Sequence, residues 1–477
     1  MRLFTALLLA SLSTAGLAAT DPLTAPSKLE PAWQAKTRDL FKQVIEIPTV
    51  HHRGEVPKMA QLLADQLKAA GLPAADIQIK PYEGLPGDKT AALVARWRAD
   101  KPTKKPILIL GHMDVVEAKR EDWKFDPFVF REENGYFLGR GSSDMKNGIV
   151  ATTMALIKLK QSGFKPDRDI ILFFTGDEET MGNGAKLGAT EWRALTDAEF
   201  GLNADGGCAS YDNKWKPQSC GISMAEKTFQ TYFFTTHNEG GHSSRPRPDN
   251  AIYELADALK ALQAYRFQPM LNDVSRAYFT ARAAQEGNTT LGRAIRAWLA
   301  NPNDGAAADL VEADPTEVGH TRTRCVATML EGGHADNALP QTAKATVNCR
   351  IFPGVDPKQI QKELQQLAGP KVEVSLDAFL GESSPASPLR PDVVNAVTHA
   401  IRSIHGPGMG IVPLMSTGAS DGSFFRARGI PVYDIDGSWI IVPDDERAHG
   451  LDERIPVRAM YDDVVHWEMV LKELAGR

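Results

Sequence analysis

The chain has 477 residues, of which 43% are apolar and 24% are charged, and its formal net charge is −6. This length allows two or three domains, and the composition is that of an ordinary globular protein. The acidic balance, together with the lack of a basic cluster with interleaved aromatic residues, argues against a nucleic-acid-binding protein.

Residues 1–19 have the pattern of a secretory signal peptide. A basic start at Met1-Arg2 precedes an apolar run from Leu3 to Leu12, and small residues follow. We predict cleavage near Ala18 or Ala19 and a secreted or periplasmic protein, with no membrane attachment after cleavage. The apolar run is too short to span a bilayer.

Export would place the cysteines in an oxidising compartment, where disulfides are permitted. Cys208 and Cys220 flank a polar loop, and a bridge between them is plausible. Cys325 and Cys349 lie in two strand-like runs, where they could also be plain buried thiols. The sequence leaves both pairings open, and it has no CxxC spacing that would indicate a zinc site built from cysteines.

The first part of the chain alternates between helical and strand-like patterns. Apolar spacing predicts helices over residues 33–44 and 56–67, with Gly71 placed as a C-terminal cap. Three short apolar runs, at residues 107–110, 169–174 and 200–205, read as buried strands, and acidic residues or histidine follow each one. We therefore predict an α/β fold with a mostly parallel sheet and one chemically active edge.

The order of the predicted strands and helices changes in the middle of the chain. Strand patterns at residues 229–236, 324–330, 343–351 and 372–376 surround helical patterns at 252–262 and 358–367. This order predicts an α+β lid domain inserted into the first domain. We place the catalytic domain at residues 30–219 and 381–477 and the lid domain at 220–380.

Histidine and carboxylate residues recur where the predicted strands end. His112 and Asp114 are two residues apart in an extended segment, so Asp114 can hold the His112 imidazole from behind. Oxygen and imidazole ligands without thiolate suit Zn²⁺, Mn²⁺ or Co²⁺. Clustered carboxylates repel one another unless cations neutralise them, which favours a metal site. The candidate ligands and bases are His112, Asp144, Glu178, Glu179, Asp205 and His449.

Several motifs resemble the M20 family of co-catalytic metallopeptidases, which includes carboxypeptidases and aminoacylases. They are His112-Met-Asp114, the Gly139–Asp144 loop, the segment 177–185, Gly240-Gly-His242-Ser-Ser-Arg-Pro and His449-Gly. The segment 321–340 and Arg350-Ile-Phe-Pro-Gly354 resemble the carboxypeptidase S branch and its relatives that cleave N-acyl amino acids.

The resemblance implies two divalent metal ions per chain, most simply Zn²⁺, with Co²⁺ or Mn²⁺ as options. By this resemblance His112 and Asp205 bind one ion, Glu179 and His449 bind the other, and Asp144 bridges them. Glu178 would be the general base, and Asp114 would orient the His112 ring.

The resemblance also assigns substrate contacts. His242 would stabilise the oxyanion, Asn337 and Arg350 would bind substrate, and Gly418 would lie in a loop that lines the pocket. Arginine suits this role because its guanidinium holds a carboxylate in a bidentate fork. The sequence leaves open whether the chain forms a homodimer and whether His242 acts in its own subunit or in a neighbour.

These features predict an exported carboxypeptidase-type enzyme that cleaves the amide bond before a C-terminal amino acid with a free carboxylate. The alternative on the same scaffold is an N-acyl-amino-acid deacylase, so the substrate is a small peptide or an N-acyl amino acid. A distant alternative is a serine hydrolase, because Gly418-Ala-Ser420-Asp-Gly422 matches the G-x-S-x-G elbow, followed by Asp434 or Asp436 and by His449.

Overall fold

The computed structural model describes residues 21–206, 209–377 and 381–477. The predicted signal peptide lies outside the described residues. The chain builds a large domain around a ten-stranded sheet and a lid domain around a four-stranded sheet.

The first part of the large domain begins with two helices and then alternates strands with helices. Its helices are α1 (Pro31–Ile45), α2 (Val56–Ala69), α3 (Lys146–Gln161), α4 (Asn183–Ala189) and α5 (Arg193–Thr196). Its strands are β1 (Ile77–Glu83), β2 (Lys89–Trp97), β3 (Ile107–His112), β4 (Arg131–Glu133), β5 (Tyr136–Leu138), β6 (Ile170–Thr175), β7 (Phe200–Asn203), β8 (Ala209–Asp212) and β9 (Pro217–Glu226).

The lid segment and the final part of the large domain follow. The lid segment contains β10 (Thr228–His237), β11 (Gly241–His242), α6 (Ala251–Ala264), α7 (Asp273–Glu286), α8 (Thr290–Ala300), α9 (Gly305–Glu312), β12 (Arg324–Gly332), β13 (Ala338–Leu339), β14 (Thr342–Ile351), α10 (Pro357–Ala368) and β15 (Val372–Leu376). The final part contains α11 (Pro391–His405), β16 (Gly410–Ser416), α12 (Gly422–Arg426), β17 (Val432–Asp434), β18 (Trp439–Val442), β19 (Arg454–Pro456) and α13 (Val457–Ala475).

The large sheet has the strand order β1-β2-β6-β3-β7-β17-β9-β8-β18, with β16 paired to β9. Its centre is parallel, because β3 pairs in parallel with both β6 and β7, and β7 pairs in parallel with β17. All six residues of β3 are buried, which explains its unbroken apolar run. The carboxyl ends of β3, β6 and β7 therefore meet at one edge of the sheet. This confirms the predicted fold class.

The lid sheet is antiparallel, in the order β12-β14-β10-β15. Alternate residues of β10 and β14 are buried, and they pack with α6 and α10 in one apolar core. The predicted boundary at residue 220 falls inside β9, which pairs with β16 of the large domain. The lid sheet itself begins at Thr228.

Residues 266–320 extend the lid domain with the helices α7, α8 and α9, which pack around Phe279, Ile295 and Trp298. This helical insert reaches both domains. Helix α7 packs against β16, and its Val274 belongs to the core of the large domain. At the other end of the insert, Glu312 of α9 forms ion pairs at the start of β12. The insert therefore bridges the lid domain and the large domain.

A disulfide joins Cys325 of β12 to Cys349 of β14, at positions directly opposite each other. Cys220 is also disulfide-bonded, and its predicted partner Cys208 lies outside the described residues. None of the described helices is both long enough and apolar enough to span a membrane.

Candidate metal centre

The parallel strands bring the predicted ligands to one edge of the large sheet. His112 is the last residue of β3, Glu178 and Glu179 follow β6, and Asp205 follows β7. Asp144 arrives from the loop that precedes α3. His449 comes from a late polar loop, where its backbone is left-handed with a φ of 60°.

His112, Asp144 and Asp205 form the first ligand group. The His112 Nε2 atom lies 3.3 Å from Asp144 Oδ1 and 3.8 Å from Asp205 Oδ1. One ligand atom from each residue lies within 4.8 Å of the others. This spacing lets the three side chains converge on one cation.

Asp144, Glu179 and His449 form the second group. The His449 Nε2 atom lies 3.1 Å from Asp144 Oδ2 and 2.9 Å from Glu179 Oε2. Asp144 thus presents one carboxylate oxygen to each group. This arrangement suits a carboxylate that bridges two cations about 3.5–4 Å apart.

Buried carboxyl groups lie close together in this site, where burial and mutual repulsion raise the pKa values of two of them. Burial and the neighbouring carboxylates Asp144 and Glu179 raise the pKa of Asp205 to about 7. Burial, with repulsion from Asp205, also raises the pKa of Glu178 well above its ordinary value. Divalent cations would compensate the negative charge of these carboxylates. The donor set of imidazole and carboxylate therefore fits a pair of divalent ions.

Asp114 lies behind the ligands. The His112 Nδ1 atom lies 3.0 Å from the Asp114 backbone carbonyl oxygen and 3.5 Å from the carboxylate oxygen Oδ1. The same carboxylate accepts hydrogen bonds from the backbone N–H groups of Glu178, at 3.2 Å, and Glu179, at 3.0 Å. Asp114 thus fixes the two glutamates as well as the His112 ring, and sequence reasoning had assigned it only the ring.

Glu453 is a buried residue of the site that sequence reasoning missed. Its carboxylate accepts hydrogen bonds from the backbone N–H groups of Gly141, Ser143 and Asp144, at 2.9, 2.7 and 3.1 Å. It also pairs with the buried Arg140 guanidinium at 2.6 Å. Glu453 therefore holds the loop that presents Asp144. No sequence motif marks it, although it lies just after His449.

A small cavity of about 80 Å³ adjoins Glu178, the predicted general base. Its lining combines Glu178 and Lys227 with the apolar side chains of Met181, Phe229 and Phe424. Residues of both domains line it, so the cavity lies where the lid domain meets the large domain.

Ser420 also lines this cavity, but its contacts do not form a serine-hydrolase triad. Its hydroxyl donates a hydrogen bond to Glu226 Oε1 at 2.5 Å and accepts one from Asn203 at 3.0 Å. The imidazole that a triad would need belongs to His449, which contacts Asp144 and Glu179 instead. Ser420 and His449 thus belong to separate networks.

Two of the predicted substrate residues, His242 and Asn337, lie on or beside the short ribbon of β11 and β13 in the lid domain. His242 is exposed on β11, and its Nδ1 accepts hydrogen bonds from the backbone N–H and the hydroxyl of Ser244. Asn337 is exposed beside it, and its backbone carbonyl oxygen accepts a hydrogen bond from the Ser243 N–H. Within the described residues, the hydrogen bonds of His242 stay inside this ribbon of β11 and β13.

Arg350 and Gly418 lie nearer to the cavity. The Arg350 guanidinium lies 4.8 Å from the centre of the Phe229 ring, which lines the cavity. Burial lowers the pKa of Arg350. Gly418 donates its N–H to the Ser416 hydroxyl and precedes Ala419 and Ser420 in the loop that lines the cavity.

An α/β sheet with paired imidazole–carboxylate groups at one edge is typical of metal-dependent hydrolases. The model of peptidase family M20/M25/M40 matches residues 108–473, and the chain belongs to this family. The family is metal-dependent, which agrees with the two ligand groups.

Curated relatives and solved structures agree with this assignment. The chain is 27% identical over 363 residues to an N-fatty-acyl-amino acid synthase/hydrolase, PM20D1, of Xenopus tropicalis, covering 74% of this chain and 70% of that protein. It is 26% identical to a probable carboxypeptidase S-like 2 of Dictyostelium discoideum, covering 77% and 71%. An M20 family metallo-carboxypeptidase of Sulfolobus solfataricus has the same fold, with 19% identity, coverage of 92% and 98%, and a TM-score of 0.68.

Proposed function

We propose that this metal-dependent hydrolase cleaves the amide bond before a C-terminal amino acid that has a free carboxylate. The observation that carries the proposal is the composition of the cleft. Glu178 Oε2 lies 3.9 Å from His112 Nε2 of the first ligand group, and Glu178 shares a cavity with Phe229, over which the Arg350 guanidinium is stacked. Within the described residues, no carboxylate lies within ion-pair distance of Arg350. Its charge is therefore free to bind the carboxylate of a substrate.

In this proposal His112 and Asp205 hold one ion, Glu179 and His449 hold the second, and Asp144 bridges them. Two Zn²⁺ ions, when bound, would polarise the scissile carbonyl and neutralise the carboxylates. Asp114 keeps Glu179 oriented as a ligand while the adjacent Glu178 faces the cavity.

Glu178 is the general base of the proposed reaction. Burial raises its pKa, so its carboxylate can accept a proton from the attacking water and return it to the leaving amine. The oxyanion of the tetrahedral intermediate needs a donor from the lid domain, and we assign this role to His242.

The exposed position of His242 favours a site that is completed by movement of the lid domain or by a second chain. The lid sheet ends in the edge strand β12, which exposes Val326, Met329 and Leu330 to between 60% and 67%. An apolar edge strand is a surface that a second copy can cover. We therefore propose a homodimer through β12, which sedimentation velocity would detect and Leu330→Glu would disrupt.

The specific substrate class has two candidates, a peptide and an N-acyl amino acid. The apolar lining of the cavity by Met181, Phe229 and Phe424 suits an acyl chain as well as an apolar side chain. The similarity to an N-fatty-acyl-amino acid synthase/hydrolase supports the second candidate, and that to a carboxypeptidase S-like protein supports the first.

We also propose that the protein is exported. The N-terminal sequence has the signal-peptide pattern, and the disulfide between Cys325 and Cys349 is of the kind that persists in oxidising compartments. Amino-terminal sequencing of the secreted or periplasmic protein would locate the cleavage site.

The test of the reaction is a metal-dependence assay on a substrate panel. The mature protein is stripped with a chelator, refilled with Zn²⁺, Co²⁺ or Mn²⁺, and assayed on dipeptides and N-acyl amino acids, each with its C-terminal amide. We expect activity to vanish on chelation, to return with about two ions per chain, and to favour the free acids. Activity that survives chelation but is lost with a serine-directed inhibitor would contradict the proposal and point to Ser420.

A further inference from the structure

Lys227 is a buried cation at the junction between the two domains. It lies between the end of β9 and the start of β10, and it is 1% exposed. Its ammonium group donates a hydrogen bond to the Arg322 carbonyl oxygen at 2.5 Å. Lys227 also lines the same cavity as Glu178. A buried ammonium group in a catalytic cleft needs a counter-charge.

Two neighbouring cations receive their counter-charges from the helical insert. Arg322 pairs with Asp309 at 2.8 Å and with Glu312 at 3.0 Å. Arg324 pairs with the same Glu312 carboxylate. The carboxylates of α9 are therefore already engaged by two guanidinium groups at the start of β12.

Lys227 and Arg350 remain without such a partner. Within the described residues, neither has a carboxylate within the 4.0 Å limit of an ion pair. Burial, together with the positive charges of Arg324 and Arg350, lowers the pKa of Lys227 to about 7, against the opposing influence of Glu312. Within the described residues, Lys227 and Arg350 are thus the two cations of this cluster that form no ion pair, although the carboxylates of Glu178 and Glu226 line the same cavity as Lys227.

The strand geometry places Lys227 and Arg350 around one side chain, that of Phe229. Lys227 and Phe229 are two residues apart in an extended segment, so their side chains point to the same side. Arg350 lies directly opposite Phe229 on β14 and stacks over its ring. Lys227 therefore lines the cavity itself, whereas Arg350 adjoins it through the Phe229 ring and otherwise lines a neighbouring groove of the lid domain with Arg322 and Arg324.

We propose that Lys227 and Arg350 together bind the free carboxylate of the substrate amino acid. The inference rests on the proposed function and adds Lys227 as a substrate-binding residue. A carboxylate held by an ammonium and a guanidinium group supplies the missing counter-charge, while the adjacent Glu178 faces the scissile amide. An uncharged terminus would leave both cations without a counter-charge, which predicts a preference for free acids.

A purely structural role for Lys227 makes a different prediction. In that role the ammonium group serves only to hold the Arg322 carbonyl between the domains. Lys227→Gln separates the two roles, because the glutamine amide can still donate to this carbonyl but has no charge. Arg324→Gln is the matched control, because it removes a nearby cation that Glu312 already neutralises.

The experiment compares KM for the best substrate of the panel and for its C-terminal amide. We expect Lys227→Gln to raise KM for the acid by about 10- to 100-fold, the loss typical of one charge-assisted hydrogen bond. KM for the amide should change little, and Arg324→Gln should preserve the preference for the acid. Equal losses on acid and amide in Lys227→Gln would overturn the assignment in favour of the structural role.

The pH dependence of KM is a second readout. The charged groups that act on Lys227 are Arg324 on β12, Arg350 on β14 and Glu312 on α9, and Glu178, Glu226, Asp421 and Glu382 line the same cavity. Burial raises the pKa of Glu178, but titration of this residue affects the acid and the amide alike, so KM for the acid is read relative to KM for the amide. KM for the acid should therefore rise above about pH 7 in the unmodified enzyme, as Lys227 loses its proton, and should be flat in Lys227→Gln. A rise that persists in the variant would contradict the assignment.

The two proposals fail in different ways. If the unmodified enzyme cleaves the acid and the amide equally well, the proposed recognition of a free carboxylate is wrong. If it prefers the acid and Lys227→Gln keeps the full preference, only the role of Lys227 is wrong.

Discussion

Glu453→Gln tests whether Asp144 is positioned by a carboxylate outside the ligand groups. One oxygen of Glu453 accepts from the Arg140 guanidinium and the Gly141 N–H. The other accepts from the N–H and hydroxyl of Ser143 and from the Asp144 N–H. Glutamine has nearly the same volume, but its amide nitrogen cannot accept. Whichever carboxylate oxygen the amide nitrogen replaces, at least two buried donors lose their acceptor.

The expected loss of stability follows from the number of hydrogen-bond donors that lose their acceptor. A hydrogen bond to a charged group contributes about 1.5–3 kcal/mol, and removing one partner of a buried ion pair costs about 3–5 kcal/mol. We therefore expect Glu453→Gln to lower the free energy of unfolding by about 3–5 kcal/mol. Because the loop that presents Asp144 loosens, we also expect the affinity for Zn²⁺ to fall by about 10- to 100-fold.

Denaturant unfolding of the metal-free protein and competition titration with a chromophoric chelator measure the two effects. Glu317→Gln is the matched control, because Glu317 is also fully buried and pairs with Arg282 at 3.0 Å, but it lies in the helical insert. The control should lose stability and keep its affinity for Zn²⁺. Equal metal affinity in Glu453→Gln and the unmodified protein would refute the positioning role.

Three further predictions concern the base, the disulfide and a buried histidine. Glu178→Gln should retain both metal ions while kcat falls by about 10²- to 10⁴-fold, and a variant that keeps its turnover would rule out Glu178 as the base. Replacing both Cys325 and Cys349 by serine should lower the free energy of unfolding by about 3 kcal/mol, the value for a loop of this length, as measured with denaturant. Burial lowers the pKa of His466 to about 3, so the unfolded chain takes up a proton below about pH 6.5 while the folded chain does not. Stability should therefore fall as the pH drops from 6.5 towards 3, and His466→Leu should weaken this fall.

Sequence reasoning located the strand ends because their signal is local. An apolar run that stops abruptly before histidine or a carboxylate identifies β3, β6 and β7, and the carboxyl ends of parallel strands must share an edge. The helices α1 and α2 were found for a similar reason, since apolar spacing and Gly71 mark their extent. The contributions of Asp144 and His449 could be assigned only through the resemblance, because both come from irregular loops.

Pairing between strands that are distant in the chain could not be predicted from local sequence patterns. Strand β9 crosses the predicted boundary at residue 220, because its partner β16 lies almost 200 residues later and no local pattern links them. Glu453 and Lys227 were missed for the same physical reason. Each looks like an ordinary charged residue until the fold buries it against partners from distant segments.

The helical insert links the charged residues of the lid domain to the large domain. Its carboxylates neutralise Arg322 and Arg324, while its first helix packs on the large domain. If Glu312 were absent, Arg324 would lose its carboxylate partner while Arg322 would keep Asp309, and a third unpaired cation would then lie beside Lys227 and Arg350. The insert thus selects which positive charges remain available in the cleft, and it fixes them relative to the large domain that carries Glu178. In the proposed carboxylate site, recognition of substrate charge therefore depends on a segment that lies outside the metal centre.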